Sequence, residues 1–157
     1  MLCDSEARSH NITNEDGRWI RQHFSDFNRL AAESESFRFA LEASVDWRYS
    51  TTARAAVARL WAGIEAIFGV STELVYRISL LSGSLLTPRG KARREKFAEV
   101  KALYGLRSKV VHGAKLSESQ IQVALDGSWG LLRELLLLSI ERGHALSDTD
   151  FDEALFD

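Results

Sequence analysis

Residues 97–113 read FAEVKALYGLRSKVVHG. Apolar side chains recur at Phe97, Val100, Leu103, Tyr104, Leu106, Val110 and Val111, the three-and-four spacing of a helix that buries one face. Arg107 falls in register with Phe97, Val100, Tyr104 and Val111, so a guanidinium stands in the apolar seam. Packing alone gives no reason for a cation there. Either an anionic partner neutralises Arg107, or Arg107 and the nearby His112 do chemistry together. The stretch reads as the end of a long helix over about residues 88–112, with Pro88 suited to its first position and Gly113 to its stop.

The same periodicity extends in both directions, with no alternating strand pattern of any length. The expectation is an all-α bundle of about five to six helices. Trp19, Ile20, Phe24 and Phe27 suggest a helix near 15–31, and Phe37, Leu41 and Val45 a second over 35–47. Ala53, Val57, Leu60, Ile64 and Phe68 form a third stripe over 52–68, with Ser50, Thr51 or Thr52 as its cap and Gly69 at its end. Ser71 or Thr72 is placed to cap a fourth helix that turns Leu74, Val75, Ile78, Leu81 and Leu85 inward, its last turn interrupted by Ser82, Gly83 and Ser84. Ser117 to Gln120 is a capping-box pattern for a final long helix to Arg142, closed by Gly143. Its leucine-rich band is wide enough to need cover on several sides, from a subunit contact or from an enclosed core within one chain. The acidic tail beyond it either docks as a short helix or stays loose.

Composition narrows the function classes. A chain of 157 residues with net charge −2 forms one domain of ordinary size and is no polycation built to coat nucleic acid. A single cysteine, Cys3, excludes an internal disulfide framework and fits a reducing compartment. With His10, His23, His112 and His144 scattered, a structural zinc site is not expected, and no cofactor is implied. The N-terminus lacks a signal-peptide core, and the apolar run at 135–138 is far too short to span a bilayer. These features suit a cytoplasmic protein without membrane attachment.

Arg107 and His112 lie five residues apart, so on a straight helix they diverge by roughly 140°. His112 aligns instead with Lys101, Gly105 and Ser108, a strip of small and polar residues that a second backbone can approach closely. Convergence with Arg107 requires a break near His112 or a second copy of the helix crossing the first, and the latter predicts a dimer. A forked guanidinium binds phosphate, and an imidazole serves as general acid or base. Those are the needs of metal-free RNA cleavage by the neighbouring 2′-hydroxyl. Spacing alone is a weak signal, because Arg18 and His23 share it. Context distinguishes the second pair: a seam arginine and a His-Gly helix end.

The wording of three blocks carries more. RLWAGIEAIFG (59–69), VYRISLLSGSLL (75–86) and FAEVKALYGLRSKVVHG (97–113), in this order, resemble the Apea-like branch of the HEPN superfamily. The likeness covers roughly residues 37–142. It implies a HEPN-like helical domain over 37–143, preceded by an N-terminal extension (1–36) and followed by an acidic tail (144–157). It further implies a homodimeric, metal-independent endoribonuclease whose Arg107 and His112 line a shared cleft. Such domains often serve in bacterial anti-phage defence or toxin–antitoxin systems, which brings an antitoxin or regulatory partner into view. In the wider superfamily the residue after the arginine is commonly Asn, Asp or His; here it is Ser108. Some members bind nucleotides, RNA or proteins without cleaving anything.

Supporting positions have a functional and a structural reading each. Glu65 is placed to orient Arg107 or Arg77, or to form a plain ion pair. Tyr104 stacks on a base or packs. Arg89, Lys91, Arg93, Arg94 and Lys96 crowd a helix start, where positive charge is unfavourable, so they contact an RNA backbone or form a solvated face. Lys109 and Lys115 flank the motif and suit phosphate contacts. His10, His23 and His144 read as surface or packing residues.

Overall fold

Local capping chemistry sets where each helix begins. Thr13 and Asp16 exchange hydrogen bonds as a capping box at the head of α1 (Asn14–Glu33). Ser34 caps α2 (Glu35–Asp46), and after a 3-10 turn at Trp47–Tyr49, Thr52 caps α3 (Ala53–Phe68). The remaining elements are α4 (Leu74–Leu86), α5 (Lys91–Val111), α6 (Glu118–Arg142) and α7 (Asp148–Phe156). Ser117 and Gln120 form the full box that opens α6, and left-handed Gly69 and Gly143 end α3 and α6. This computed structural model describes residues 12–156; Cys3 and His10 lie outside the described residues.

The chain is an all-α bundle, with seven helices among the described residues because the acidic tail adds α7. Two starts differ from expectation. Glu73, at φ 50°, precedes α4 in place of a Ser71 or Thr72 cap, and α5 begins three residues after Pro88, behind Gly90 at φ 107°. None of the described helices is long and apolar enough to cross a membrane.

α3 is the hub, packed against α2, α5 and α6. Val57, Leu60, Trp61 and Ile64 are fully buried in it, facing Leu132 and Leu135 of α6. The broad leucine band of α6 is covered within one chain, by α1, α2, α3, α4 and α5. Backbone proximity explains the tightest crossings. A Cβ on Gly63 would stand 2.8 Å from that of Ala43, so α2 presents Ala40 and Ala43 to α3 while Val45, expected inward, is exposed. On Gly83 a Cβ would stand 3.0 Å from the Arg93 carbonyl oxygen. The Ser82, Gly83, Ser84 interruption is therefore the contact surface between α4 and α5, and all three residues are buried. In α1, Trp19 and Phe27 pack on the core, whereas Ile20 and Phe24 face outward.

α7 lies along α4 and is held at both ends. Asp150, 4% exposed, accepts from the Ser147 backbone N–H and hydroxyl and pairs with Arg142 and with His144 Nε2. Burial pushes its carboxyl up, but the hydrogen bonds from Ser147, His144 and Arg142 outweigh that and hold it well below the usual carboxylate range. At the other end, Arg89 donates to the Leu155 carbonyl at 3.0 Å and Arg93 to that of Ala154 at 3.2 Å.

Candidate functional site

The α3–α5 contact carries the residues of interest. Trp61 on α3 meets Tyr104 on α5 edge to face, with ring centroids 5.1 Å apart. The Arg107 guanidinium lies over the same tyrosine, 5.2 Å from its centroid, and donates to Glu65 Oε1 at 3.1 Å. The two charged side chains are only 22% and 26% exposed, so the pair is partly desolvated. Arg107 Nε is buried without a hydrogen-bond partner among the described residues. The anionic partner that the seam arginine demands is thus Glu65, reached from the facing helix.

His112 is the cap residue at the end of α5 and is exposed. Its backbone N–H donates to the Ser108 carbonyl at 3.0 Å. Beyond it the chain closes as a Schellman motif: Ala114 N–H donates to Lys109 O at 2.9 Å and Gly113 N–H to Val110 O at 3.2 Å. Gly113 sits at φ 80°, a conformation that costs other residues strain. The break comes after His112, so Arg107 and His112 remain on diverging faces of one helix. Ser108 is half-buried, and Lys109 and Lys115 are exposed. Nothing lies within 4 Å of where a Gly105 side chain would begin, so the strip of Lys101, Gly105, Ser108 and His112 is open along its middle.

The basic stretch before and within the start of α5 has defined partners. Arg89 and Arg93 sit at the carbonyl end of α7, where a cation is favourable, which offsets their unfavourable place near the head of α5. Lys91 pairs with Glu95 at 3.6 Å; Lys96 pairs with Glu134 at 2.8 Å and Glu99 at 3.3 Å. Burial lowers the Lys96 ammonium, yet the two carboxylates outweigh it and raise it overall. Arg94 alone of the proposed backbone contacts in this stretch is exposed with neither an ion pair nor a side-chain hydrogen bond among the described residues. His23 stacks on Trp19 at 4.8 Å, and His144 belongs to the Asp150 network.

One residue beside the motif escapes a sequence reading. Arg54, in the first turn of α3, reaches the end of α5: its Nη2 stands 2.9 Å from where a Cβ on Gly113 would be. A cation in the first turn of a helix is disfavoured by the dipole, and that was the only local signal. Among the described residues no three His, Cys, Asp or Glu side chains gather as a metal site. Compared with known proteins, the chain matches no family model, and no curated protein or solved structure gives a significant match.

Proposed function

We propose that the chain is a HEPN-type, metal-independent endoribonuclease that acts in the cytoplasm as a homodimer, in bacterial anti-phage defence or in a toxin–antitoxin pair. The observation that supports it best is the pairing of a partly desolvated arginine, oriented by Glu65 and Tyr104, with an exposed histidine at the end of the same helix. Glu65 accepts from one terminal nitrogen of the guanidinium and Tyr104 covers a face; with Nε buried, the terminal N–H groups not given to Glu65 are the donors that would grip a phosphate. Because Arg107 and His112 diverge within a chain, the cleft requires two copies of α5 crossing at the open Gly105 strip. There the 2′-hydroxyl attacks its own phosphorus. The 2′-O–P bond forms as the P–O5′ bond breaks; the proton of the 2′-hydroxyl passes to a base and the 5′-oxygen takes one from an acid, with His112 in one of these roles. The products are a 2′,3′-cyclic phosphate and a 5′-hydroxyl. Arg107 offsets the charge gathering on the equatorial oxygens.

The test is incubation of the purified protein with RNA in EDTA. Cleavage by the wild type, lost in Arg107→Ala and His112→Ala with folding and dimerisation intact, supports the enzyme. RNA left whole across varied substrates refutes it.

The second reading is a non-catalytic module that binds a nucleotide, RNA or a partner protein in the same cleft. The closed Arg107–Glu65 pair favours it, since an arginine already neutralised serves packing as well as chemistry. Salt-sensitive RNA affinity that survives His112→Ala, without cleavage, marks the RNA-binding form of this module.

A further inference from the structure

His112 shares its end of α5 with a guanidinium from another helix. Arg54 is exposed, pairs with no carboxylate among the described residues, and lies against Gly113, the residue next to His112. Arg107, by contrast, has one donor committed to Glu65 and points from a different face of α5. Lys109 and Lys115, both exposed and likewise without an ion pair among the described residues, flank the same helix end. Arg54 is therefore the cation that another helix brings to the end of α5, where the chain itself places Lys109, His112 and Lys115 within a few residues of Gly113.

We infer that Arg54 is a substrate-binding residue: it holds an RNA phosphate beside His112 of its own chain, while Arg107 serves from the other side of the cleft. The inference rests on the ribonuclease reading for its substrate and adds a contact that the Arg-to-His motif does not contain. A guanidinium offers five N–H donors and accepts none, so an unpaired, exposed one at the helix end that carries His112 is matched by a phosphodiester's anionic oxygens. Gly113 preserves the space, since a Cβ there would displace the Arg54 side chain as well as strain the backbone. The competing use of Arg54 is purely structural, as a cation that complements the carbonyl end of α5. The two uses differ in what they make salt-dependent.

The test uses a 2′-O-methyl RNA oligonucleotide, which cannot be cut by its own 2′-oxygen, followed by fluorescence anisotropy over a salt series. Arg54→Ala is expected to weaken binding about tenfold at low salt and to flatten the plot of log affinity against log salt by about 0.7, the loss of one single-strand phosphate contact. Arg54→Lys keeps the slope and restores part of the affinity, and it carries the test should the alanine variant fold poorly. Unchanged affinity and slope in Arg54→Ala, with or without a fall in Tm, overturn the inference and leave the structural role. Cleavage of unmodified RNA in EDTA, run in parallel, separates the two claims. Cleavage that disappears in His112→Ala but is untouched by Arg54→Ala sinks the Arg54 contact alone. A slope that drops on Arg54→Ala in a protein that cuts nothing keeps the contact and ends the ribonuclease reading. A wild type that neither binds the oligonucleotide at about 50 mM salt nor cuts unmodified RNA ends both.

Discussion

At the scale of single residues, the Arg107–Glu65 pair is the most exposed to test. Glu65→Ala would strip the partner from an Arg107 side chain only 22% exposed and should cost about 1–2 kcal/mol, less than a fully buried pair because both side chains keep some solvent contact. Thermal melts check it, and Glu65→Gln, which keeps an acceptor for the Arg107 N–H, should lose less. Gly113→Ala meets a φ of 80°, which strains any other residue, while the exposed Arg54 guanidinium 2.9 Å away can swing aside; it should lose about 1–2 kcal/mol by the same measurement. Much of this was legible in the sequence. The three-and-four register puts Arg107 in a seam, a seam cation needs an acid, and Glu65 is a candidate for it because its helical spacing from Trp61 and Phe68 sets it on their face. Arg54 was not legible, because its link to the motif is a contact between distant parts of the chain with no periodic trace.

At the scale of elements, helices with large apolar stripes were readable and those with small-residue contacts were not. α3 and α6 match their expected spans closely because caps and stops reinforce the apolar period. The inner face of α2 was misplaced: alanines carry little hydrophobic signal, yet Ala40 and Ala43 let it approach Gly63 at close range. The last turn of α4 read as an interruption for the same reason, since Gly83 signals a loop in sequence and a helix crossing in space. Gly83→Ala should therefore destabilise the protein by about 1–3 kcal/mol despite a gain in helix propensity, because the new methyl meets the Arg93 backbone rather than a movable side chain. Urea unfolding would show it as a lower midpoint at constant slope. α7 should respond to acid. Asp150 has its folded carboxyl below the unfolded value near 3.9, so its contribution is complete above about pH 5 and fades as pH falls toward the folded value. The hydrogen-exchange protection factors of α7, corrected for the intrinsic pH dependence of amide exchange, should fall over that range in the wild type, while Asp150→Asn should show low protection at all pH values and little such dependence.

At the scale of the whole molecule, the decisive question is whether two copies meet at the open face of α5. Gly105 has no neighbour within 4 Å, which separates folding from assembly. Gly105→Ala removes a helix-interior glycine on the surface and should raise stability by up to about 1 kcal/mol. Gly105→Tyr should leave the monomer folded yet abolish dimerisation in sedimentation experiments, and with it RNA cleavage. A tyrosine variant that still sediments as a dimer would place the subunit contact elsewhere. Trp61 gives the molecule an internal lamp for such measurements. Its indole is wholly shielded from water, with an N–H that finds no acceptor among the described residues, so its emission should lie at short wavelength. Because the ring abuts Tyr104, and Tyr104 carries the Arg107 cation on its face, any ion drawn to that cation should disturb the near-ultraviolet optical activity of the pair.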